Sequence, residues 1–155
     1  MKRSMLWSAA LSLFLAAAGC GGGKSTTESN SAPTSGSPYD VGPRAAEAPI
    51  AEALAEKGRA IFKVKGCTAC HAYGRRLTGP DLKGVTQRRT ASWMEQQILH
   101  PEIMTKQDPI SRALMAEYAL QMSNQGLTPD EATAVIEHLK WLDDSTGVVV
   151  QQAAK

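Results

Sequence analysis

The stretch Cys67-Thr68-Ala69-Cys70-His71 decides the fold of this chain. Two cysteines separated by two residues and followed at once by a histidine have the spacing that attaches a c-type haem. Each thiol can form a thioether bond with one vinyl group of the porphyrin, and the histidine that follows can bind the iron as its proximal ligand. The stretch therefore predicts one covalently bound haem c, held by Cys67 and Cys70, with His71 on the iron.

Three other sites also use closely spaced cysteines. A thioredoxin-like redox pair follows a β-strand, whereas the residues before Cys67 have a helical pattern. A zinc site needs four ligands, and the other histidines, His100 and His138, are isolated. A disulfide between Cys67 and Cys70 would close a very small loop and stabilise little. The motif alone leaves these alternatives open, and the flanking sequence favours haem.

Residues 1–20 read MKRSMLWSAALSLFLAAAGC and have the pattern of an export signal. Two basic residues precede an apolar run that is too short for an ordinary membrane span and ends in small residues. The last four residues, Ala17 to Cys20, resemble the lipobox of bacterial lipoproteins. The resemblance implies that residues 1–19 are removed and that Cys20 is lipidated, which would hold the exported protein on a membrane surface. An ordinary signal peptide with a spare cysteine is the alternative, although a free thiol is a liability in an oxidising compartment.

Residues 20–49 are rich in Gly, Ser, Thr and Pro and hold almost no large apolar side chains. Such a segment cannot bury enough surface to fold alone, which predicts a flexible tether. Its typical end-to-end span as a coil is ~30 Å. The sequence does not distinguish a tether that lets a haem domain reach its partners from an inert linker.

The charge is divided along the chain although the mature protein is balanced. Loss of residues 1–19 removes two bases and leaves fifteen basic and fifteen acidic residues, so net charge gives no reason to expect a nucleic-acid partner. Residues 57–89 hold nine bases and one acid, and residues 90–145 hold nine acids and three bases. This division predicts a basic rim that steers docking to an acidic partner. The alternative is a set of solvated faces, with Arg75, Arg76, Arg88 and Arg89 as candidates to neutralise the haem propionates.

Residues 50–145 are predicted to form an all-α haem domain, followed by a tail at 146–155. A helix over 51–64 places Leu54, Gly58, Ile61 and Phe62 on one face. Glycine inside a helix costs about 1 kcal/mol relative to alanine. We therefore expect another helix to approach closely at Gly58.

Three further helices are predicted from their start signals. Ser92-Trp93-Met94-Glu95 has the form of a capping box and starts a helix over 93–99 that Pro101 ends. Asp108-Pro109 starts a helix to about Tyr118, with Ile110 and Leu114 inward. Thr128-Pro129-Asp130-Glu131 starts the strongest helix, over 129–143. Its apolar stripe comprises Ala132, Val135, Ile136, Leu139 and Leu142, with His138 at the edge as a packing or surface residue.

The loop from Ala72 to Gln87 is predicted to wrap around the haem. Within it, the carbonyl of Pro80 can accept a hydrogen bond from Nδ1–H of His71, which would orient the ring and make it a stronger ligand. Leu77 and Leu82 are expected to pack against the haem. A plain Gly79-Pro80 turn is the alternative.

Four methionines after the motif are candidates for the second axial ligand. Met94 and Met115 lie in predicted helices, where methionine commonly fills the core. Met104 and Met122 lie in predicted loops. The loop that contains Met122 precedes the last helix and can fold over the face of the haem opposite His71.

These features resemble the class I mono-haem cytochromes c over about residues 50–143. The resemblance rests on the first helix with Gly58 and Phe62, the attachment motif, Gly79-Pro80-x-Leu82, and a methionine shortly before the last helix. It implies about four to five short helices around one haem, with the first and last helices crossed. It also implies that Pro80 and Leu82 contact the haem and that Met122 is the second ligand, with Met104 as second choice. Ser123 stands where the family often has proline, and His138 stands where an aromatic residue is common.

The predicted function is therefore that of an electron carrier, not an enzyme. A lipid-anchored cytochrome c outside the cytoplasm, either periplasmic or at the cell surface, would carry single electrons from a respiratory donor complex to a terminal reductase or oxidase. The segment His100-Pro101-Glu102 resembles bacterial cytochromes that serve respiratory reductases, nitrous oxide reductase among them. The alternative is a haem-based gas sensor or peroxidase with an open or labile sixth position. Gas-binding cytochromes built as four-helix bundles usually carry the motif near the C-terminus, which argues against that fold here.

Overall fold

A computed structural model describes residues 36–146, and this part of the chain is all-α. Two 3-10 turns, at Ala45–Glu47 and Cys67–Ala69, accompany six α-helices. The helices are α1 (Glu52–Val64), α2 (Val85–Arg88), α3 (Ala91–Leu99), α4 (Pro101–Gln107), α5 (Pro109–Tyr118) and α6 (Pro129–Ser145). The all-α prediction is confirmed, with six helices in place of four to five, because the sequence pattern misses the one-turn helix α2 and the short helix α4. The signal peptide, Cys20 and the tail from residue 147 lie outside the described residues.

Helix α1 crosses α6 at Gly58, as the sequence predicts. A Cβ atom at Gly58 would overlap the backbone carbonyl of Ala134 and would lie 3.0 Å from Cβ of His138. Ala134 is itself fully buried. Only two small residues allow the helix backbones to approach this closely, so the glycine is required by packing.

One hydrophobic core joins α3, α4, α5 and α6, and α1 packs against it through Ile61 and Phe62. Leu54 does not belong to this core, because 38 % of its surface is exposed. Ala55 and Gly58 are the buried residues of α1 instead. The buried apolar residues of the core are Ala45, Trp93, Met94, Met104, Ile110, Val135, Ile136 and Leu139.

Side-chain caps fix the starts of three helices. Asp108 caps α5 and Thr128 caps α6, each followed by proline, and Thr128 forms the predicted capping box with Glu131. Helix α3 begins earlier than predicted, because its cap is Thr90 and not Ser92. The Thr90 hydroxyl accepts a hydrogen bond from the backbone N–H of Trp93 at 3.0 Å. Pro101 does not simply end α3: it is the first residue of α4.

The folded domain begins before residue 50, which corrects the predicted N-terminal boundary. Residues 37–49 lie against the helices, and Ser37 and Asp40 are buried. Asp40 accepts hydrogen bonds from the backbone N–H of Thr90 at 2.8 Å and from the guanidinium of Arg44 at 2.9 Å. A buried carboxylate with this set of donors requires a fixed backbone, so this part of the predicted tether belongs to the domain.

None of the helices within residues 36–146 combines the length and the apolar composition that crossing a membrane requires.

Candidate haem site

The attachment motif forms a tight turn directly after α1. Gly66 adopts a left-handed conformation (φ 75°) that ends the helix, and Cys67–Ala69 forms a 3-10 turn. The backbone N–H of His71 then donates to the carbonyl of Cys67 at 2.9 Å. Cys67 and Cys70 are both free thiols, and burial raises the pKa of the Cys67 thiol. The turn therefore presents two thiols and one imidazole from five consecutive residues.

A single apolar cavity of about 240 Å³ brings the predicted haem-binding residues together. Its lining includes Cys67, Cys70, His71, Pro80, Leu82 and Met122. Apolar side chains from α1, α3, α5 and α6 form much of its wall: Phe62, Trp93, Ile98, Leu114, Val135 and Leu139. Leu77 lies outside this lining and instead lines a second, more open cavity, which His71 also lines. The expectation that Leu77 packs against the haem is therefore not supported. Leu82 lines the same cavity as Cys67 and His71, and its contact with the haem stays a prediction.

The His71 ring is held by the Gly79-Pro80 turn. Its Nδ1 atom lies 3.0 Å from the carbonyl oxygen of Pro80, which can only accept, so Nδ1 carries the proton and Nε2 remains available to a metal. A Cβ atom at Gly79 would lie 2.8 Å from Cε1 of the ring. Glycine is thus needed to let the turn approach the imidazole, and the predicted hydrogen bond is present.

Of the four candidate methionines, three line the cavity and one lies in the core. Met122 lies in the loop between α5 and α6 and lines the cavity, as do Met94 from α3 and Met115 from α5. Met104 belongs to α4 and not to a loop; it is 1 % exposed and lies outside the cavity lining. Met104 therefore has the position of a core residue.

The Met122 loop is fastened at two points. The side-chain amide of Asn124 donates to the carbonyl of Leu99 at 2.9 Å. The ammonium of Lys65 donates to the carbonyl of Gly126 at 3.0 Å and lies 3.2 Å from Glu131. These contacts hold the loop against α3 on one side and beside the end of α1 on the other.

Gln97 is a site residue that the sequence pattern does not reveal. It lies on α3, lines the cavity, and its Nε2 atom is 3.6 Å from Sδ of Met122. No motif marks this glutamine, because its contact with a residue 25 positions later depends on the tertiary fold.

A buried carboxylate ties the wrapping loop to α6. Asp143 accepts hydrogen bonds from Gly84 N–H at 2.6 Å, from the backbone and hydroxyl of Thr86, and from the Tyr73 hydroxyl at 2.6 Å. Burial, together with the hydrogen bond to Asp143, raises the pKa of Tyr73 to about 12. The loop from residue 73 to 86 is therefore anchored on the last helix at two separate places.

The arginines proposed as partners of the propionates do not all reach the cavity. Arg88 and Arg89 line it, and Asp40 holds Arg89 at 3.3 Å. Arg76 is paired with Glu117 and stacks on the ring of Tyr118, which lines the cavity. Arg75 lies at the second cavity.

The residues present fit a covalently bound haem. Two free thiols, an imidazole oriented by a carbonyl, and a thioether all line one apolar cavity, and these are the groups that attach and ligate a c-type haem. Within residues 36–146, no group of three or more His, Cys, Asp or Glu side chains is placed to hold a metal ion.

The sequence profile of the family described as Cytochrome c matches residues 55–143. This chain belongs to the cytochrome c family. As a member of that family, this cytochrome carries covalently bound haem c. The structure resembles a cytochrome c from Rhodothermus marinus with a TM-score of 0.61 and 33 % identity, over 63 % of this chain and 83 % of that one.

Two curated cytochromes c-551 are similar over a shorter stretch. The protein from Azotobacter vinelandii is 48 % identical over 33 residues, and that from Stutzerimonas stutzeri is 47 % identical over 36 residues. These matches cover 21 % and 23 % of this cytochrome, and 40 % and 35 % of the two relatives. The chain thus spans two-fifths or less of the length of these curated relatives.

Proposed function

We propose that this cytochrome c carries single electrons between redox proteins and performs no bond-making chemistry on a substrate. The observation that carries the proposal is that Cys67, Cys70, His71 and Met122 line one apolar cavity. When bound, haem c supplies an iron that alternates between Fe(III) and Fe(II).

Each residue has a distinct role in this proposal. Cys67 and Cys70 would form the thioether bonds, His71 would bind the iron through Nε2, and Met122 would be the second ligand of the iron. The Pro80 carbonyl keeps the His71 ring oriented through the 3.0 Å contact with Nδ1. The apolar wall, including Leu82, excludes water, and a Met/His pair gives a higher reduction potential than two histidines.

Absorption spectra of the full chain, oxidised and reduced, with and without carbon monoxide, test this ligation. We expect a low-spin spectrum with the weak far-red band of sulfur-to-iron charge transfer, and no change on adding carbon monoxide. Met122→Ala should lose the band and bind carbon monoxide. Met104→Leu is the matched control and should keep the band, because Met104 lies in the core. Ready carbon monoxide binding by the unmodified protein would instead indicate a sensor or peroxidase.

We further propose that the cytochrome is exported and anchored through a lipid on Cys20. The support is the lipobox-like sequence at Ala17 to Cys20. Cells fed a labelled fatty acid should label the unmodified protein and not Cys20→Ser, and the variant should leave the membrane fraction. Labelling of both proteins would refute the assignment of Cys20.

The basic segment, residues 57–89, offers fewer bases for docking than the sequence suggests. Four of its nine bases are ion-paired: Arg59 with Glu56, Lys65 with Glu131, Arg76 with Glu117, and Arg89 with Asp40. Within the described residues, no carboxylate lies within ion-pair distance of the remaining five, which are Lys57, Lys63, Arg75, Lys83 and Arg88. We propose that these five bases steer an acidic redox partner, which would include a respiratory donor or a terminal reductase or oxidase.

Small inorganic oxidants can test the steering without knowledge of the partner. The reduced cytochrome should react faster with ferricyanide as ionic strength falls, and a cationic cobalt complex should show a weaker or opposite dependence. Lys83→Glu should reduce the salt dependence with ferricyanide. Lys106→Glu makes the same charge change on α4, outside the basic segment, and should have a smaller effect. Equal effects of the two variants would show that only net charge matters.

A further inference from the structure

A chain of polar contacts leads from the core of the domain to the sulfur of Met122. The side-chain amide of Gln97 lies with Nε2 3.6 Å from Sδ of Met122 and with Oε1 2.5 Å from the hydroxyl of Ser111. That hydroxyl lies 3.2 Å from Oδ1 of Asp108. Ser111 and Asp108 are buried, and Gln97 and Met122 are partly buried. These contacts therefore connect the buried carboxylate of Asp108 to Met122 in the candidate haem site.

The direction of these hydrogen bonds follows from the groups that already donate to Asp108. Its Oδ1 atom already accepts from the backbone N–H of Ser111 at 2.9 Å and from the indole N–H of Trp93 at 3.1 Å. Burial opposes ionisation of Asp108, but its hydrogen bonds with the Ser37 side chain, with the backbone and side chain of Ser111 and with Trp93 hold its pKa below the ordinary value. An ionised carboxylate only accepts hydrogen bonds, and two N–H donors occupy the lone pairs of Oδ1.

The Ser111 hydroxyl is therefore directed to Gln97. It has a single hydrogen, and its distance to Oε1 of Gln97 is 0.7 Å shorter than its distance to Asp108. Donation to Oε1 identifies that atom as the amide oxygen, and the NH₂ group must then face Met122. The reverse orientation would place a carbonyl oxygen against the thioether sulfur, and both of these atoms carry lone pairs.

We infer that Gln97 is a positioning residue for the second axial ligand: Ser111 and Asp108 fix its amide so that the NH₂ group donates to Sδ of Met122. This inference rests on the proposed ligation by Met122. A hydrogen bond to sulfur uses one of its lone pairs and leaves the other for the iron, so it fixes which side of the thioether faces the metal. It also stabilises the arrangement in which Met122 is bound, because Gln97 loses this partner when the methionine moves away.

Competition with imidazole measures this stabilisation directly. In Gln97→Leu, imidazole should displace the methionine at about fivefold lower concentration, since one hydrogen bond is lost. The far-red band should shift in energy, because the donor strength of the sulfur changes. Gln96→Leu is the matched control: Gln96 is the neighbouring glutamine on α3, it is partly buried like Gln97, and it does not belong to the lining of the cavity. It should leave the band and the imidazole affinity unchanged.

The role of Ser111 is tested by a double-mutant cycle. In Ser111→Ala, imidazole should displace Met122 at a lower concentration, as in Gln97→Leu. The double variant should resemble Gln97→Leu alone, because Ser111 acts only through the hydrogen bond from Gln97 to Met122. Additive effects would refute the proposed relay. If the far-red band is present, is lost in Met122→Ala and is identical in Gln97→Leu and the unmodified protein, the ligation stands and this inference fails. If the unmodified protein has no such band, the proposed ligation itself fails.

Discussion

Replacing Gly58 with alanine adds one methyl group at the crossing of α1 and α6. The new Cβ atom would meet the backbone carbonyl of Ala134, well inside the distances found between real Cβ atoms and their neighbours. A carbonyl in the middle of a helix cannot rotate away, and His138 closes the site from the other side at 3.0 Å. The two helices must therefore separate along part of their interface.

The size of the effect follows from two opposing contributions. Overpacking of a well-filled site costs about 1–3 kcal/mol, and the upper end applies here because the clash is with backbone. Alanine is better than glycine inside a helix by about 1 kcal/mol. We therefore expect Gly58→Ala to lower the free energy of unfolding by about 2 kcal/mol. For a domain of this size, that corresponds to a decrease in Tm of roughly 8–16 °C.

Denaturant and thermal unfolding of the haem-loaded protein, followed by circular dichroism, measure this loss. Ala60→Gly makes the reverse change at an exposed position of the same helix, and it should cost about 1 kcal/mol through helix propensity alone. A Gly58→Ala variant as stable as the unmodified protein, or more stable, would refute the close crossing of α1 and α6.

Three further changes probe other parts of the domain. Asp143→Ala removes the carboxylate that accepts hydrogen bonds from the Tyr73 hydroxyl and three other donors, and it should lower the free energy of unfolding by about 3 kcal/mol in chemical denaturation. Asp144→Ala, at the neighbouring exposed position, should change the free energy of unfolding by no more than about 0.5 kcal/mol. Burial, and then Arg59, lowers the pKa of His138, so the native state favours the neutral ring and the unfolded chain binds the extra proton. The free energy of unfolding should therefore fall as the pH decreases through about 6.5. In His138→Phe, this pH-dependent loss of stability should be absent. Thr128→Ala removes the cap of α6 and should lower the free energy of unfolding by about 1 kcal/mol, and an unchanged Tm would show that the Thr128 cap contributes no stability.

Local signals in the sequence predict those features that depend on neighbouring residues. The caps at Asp108 and Thr128 are confirmed because the cap and its first turn are adjacent in sequence. The contact between Nδ1 of His71 and the carbonyl of Pro80 spans only nine residues and is also present as predicted. Gly58 is informative because glycine destabilises a helix interior, so its presence there indicates a close contact with another helix.

Features that depend on distant residues are not visible in this way. Ser92 with Glu95 matches the capping box better than Thr90 does, yet Thr90 is the cap. The reason lies 50 positions earlier, because Asp40 accepts from the backbone N–H of Thr90 and fixes the entry to α3. The same carboxylate draws a polar, proline-containing segment onto the domain, although composition alone predicts a tether there.

The crossing at Gly58 also bears on the order in which the chain matures. Gly58 and Ala134 are 76 positions apart, and closing a loop of that length costs about 4 kcal/mol of chain entropy, apart from a constant. Because the chain is synthesised from its N-terminus, α1 cannot pack against α6 until the last helix has been made. The thiols that directly follow α1 are thus expected to stay accessible for haem attachment until α6 docks.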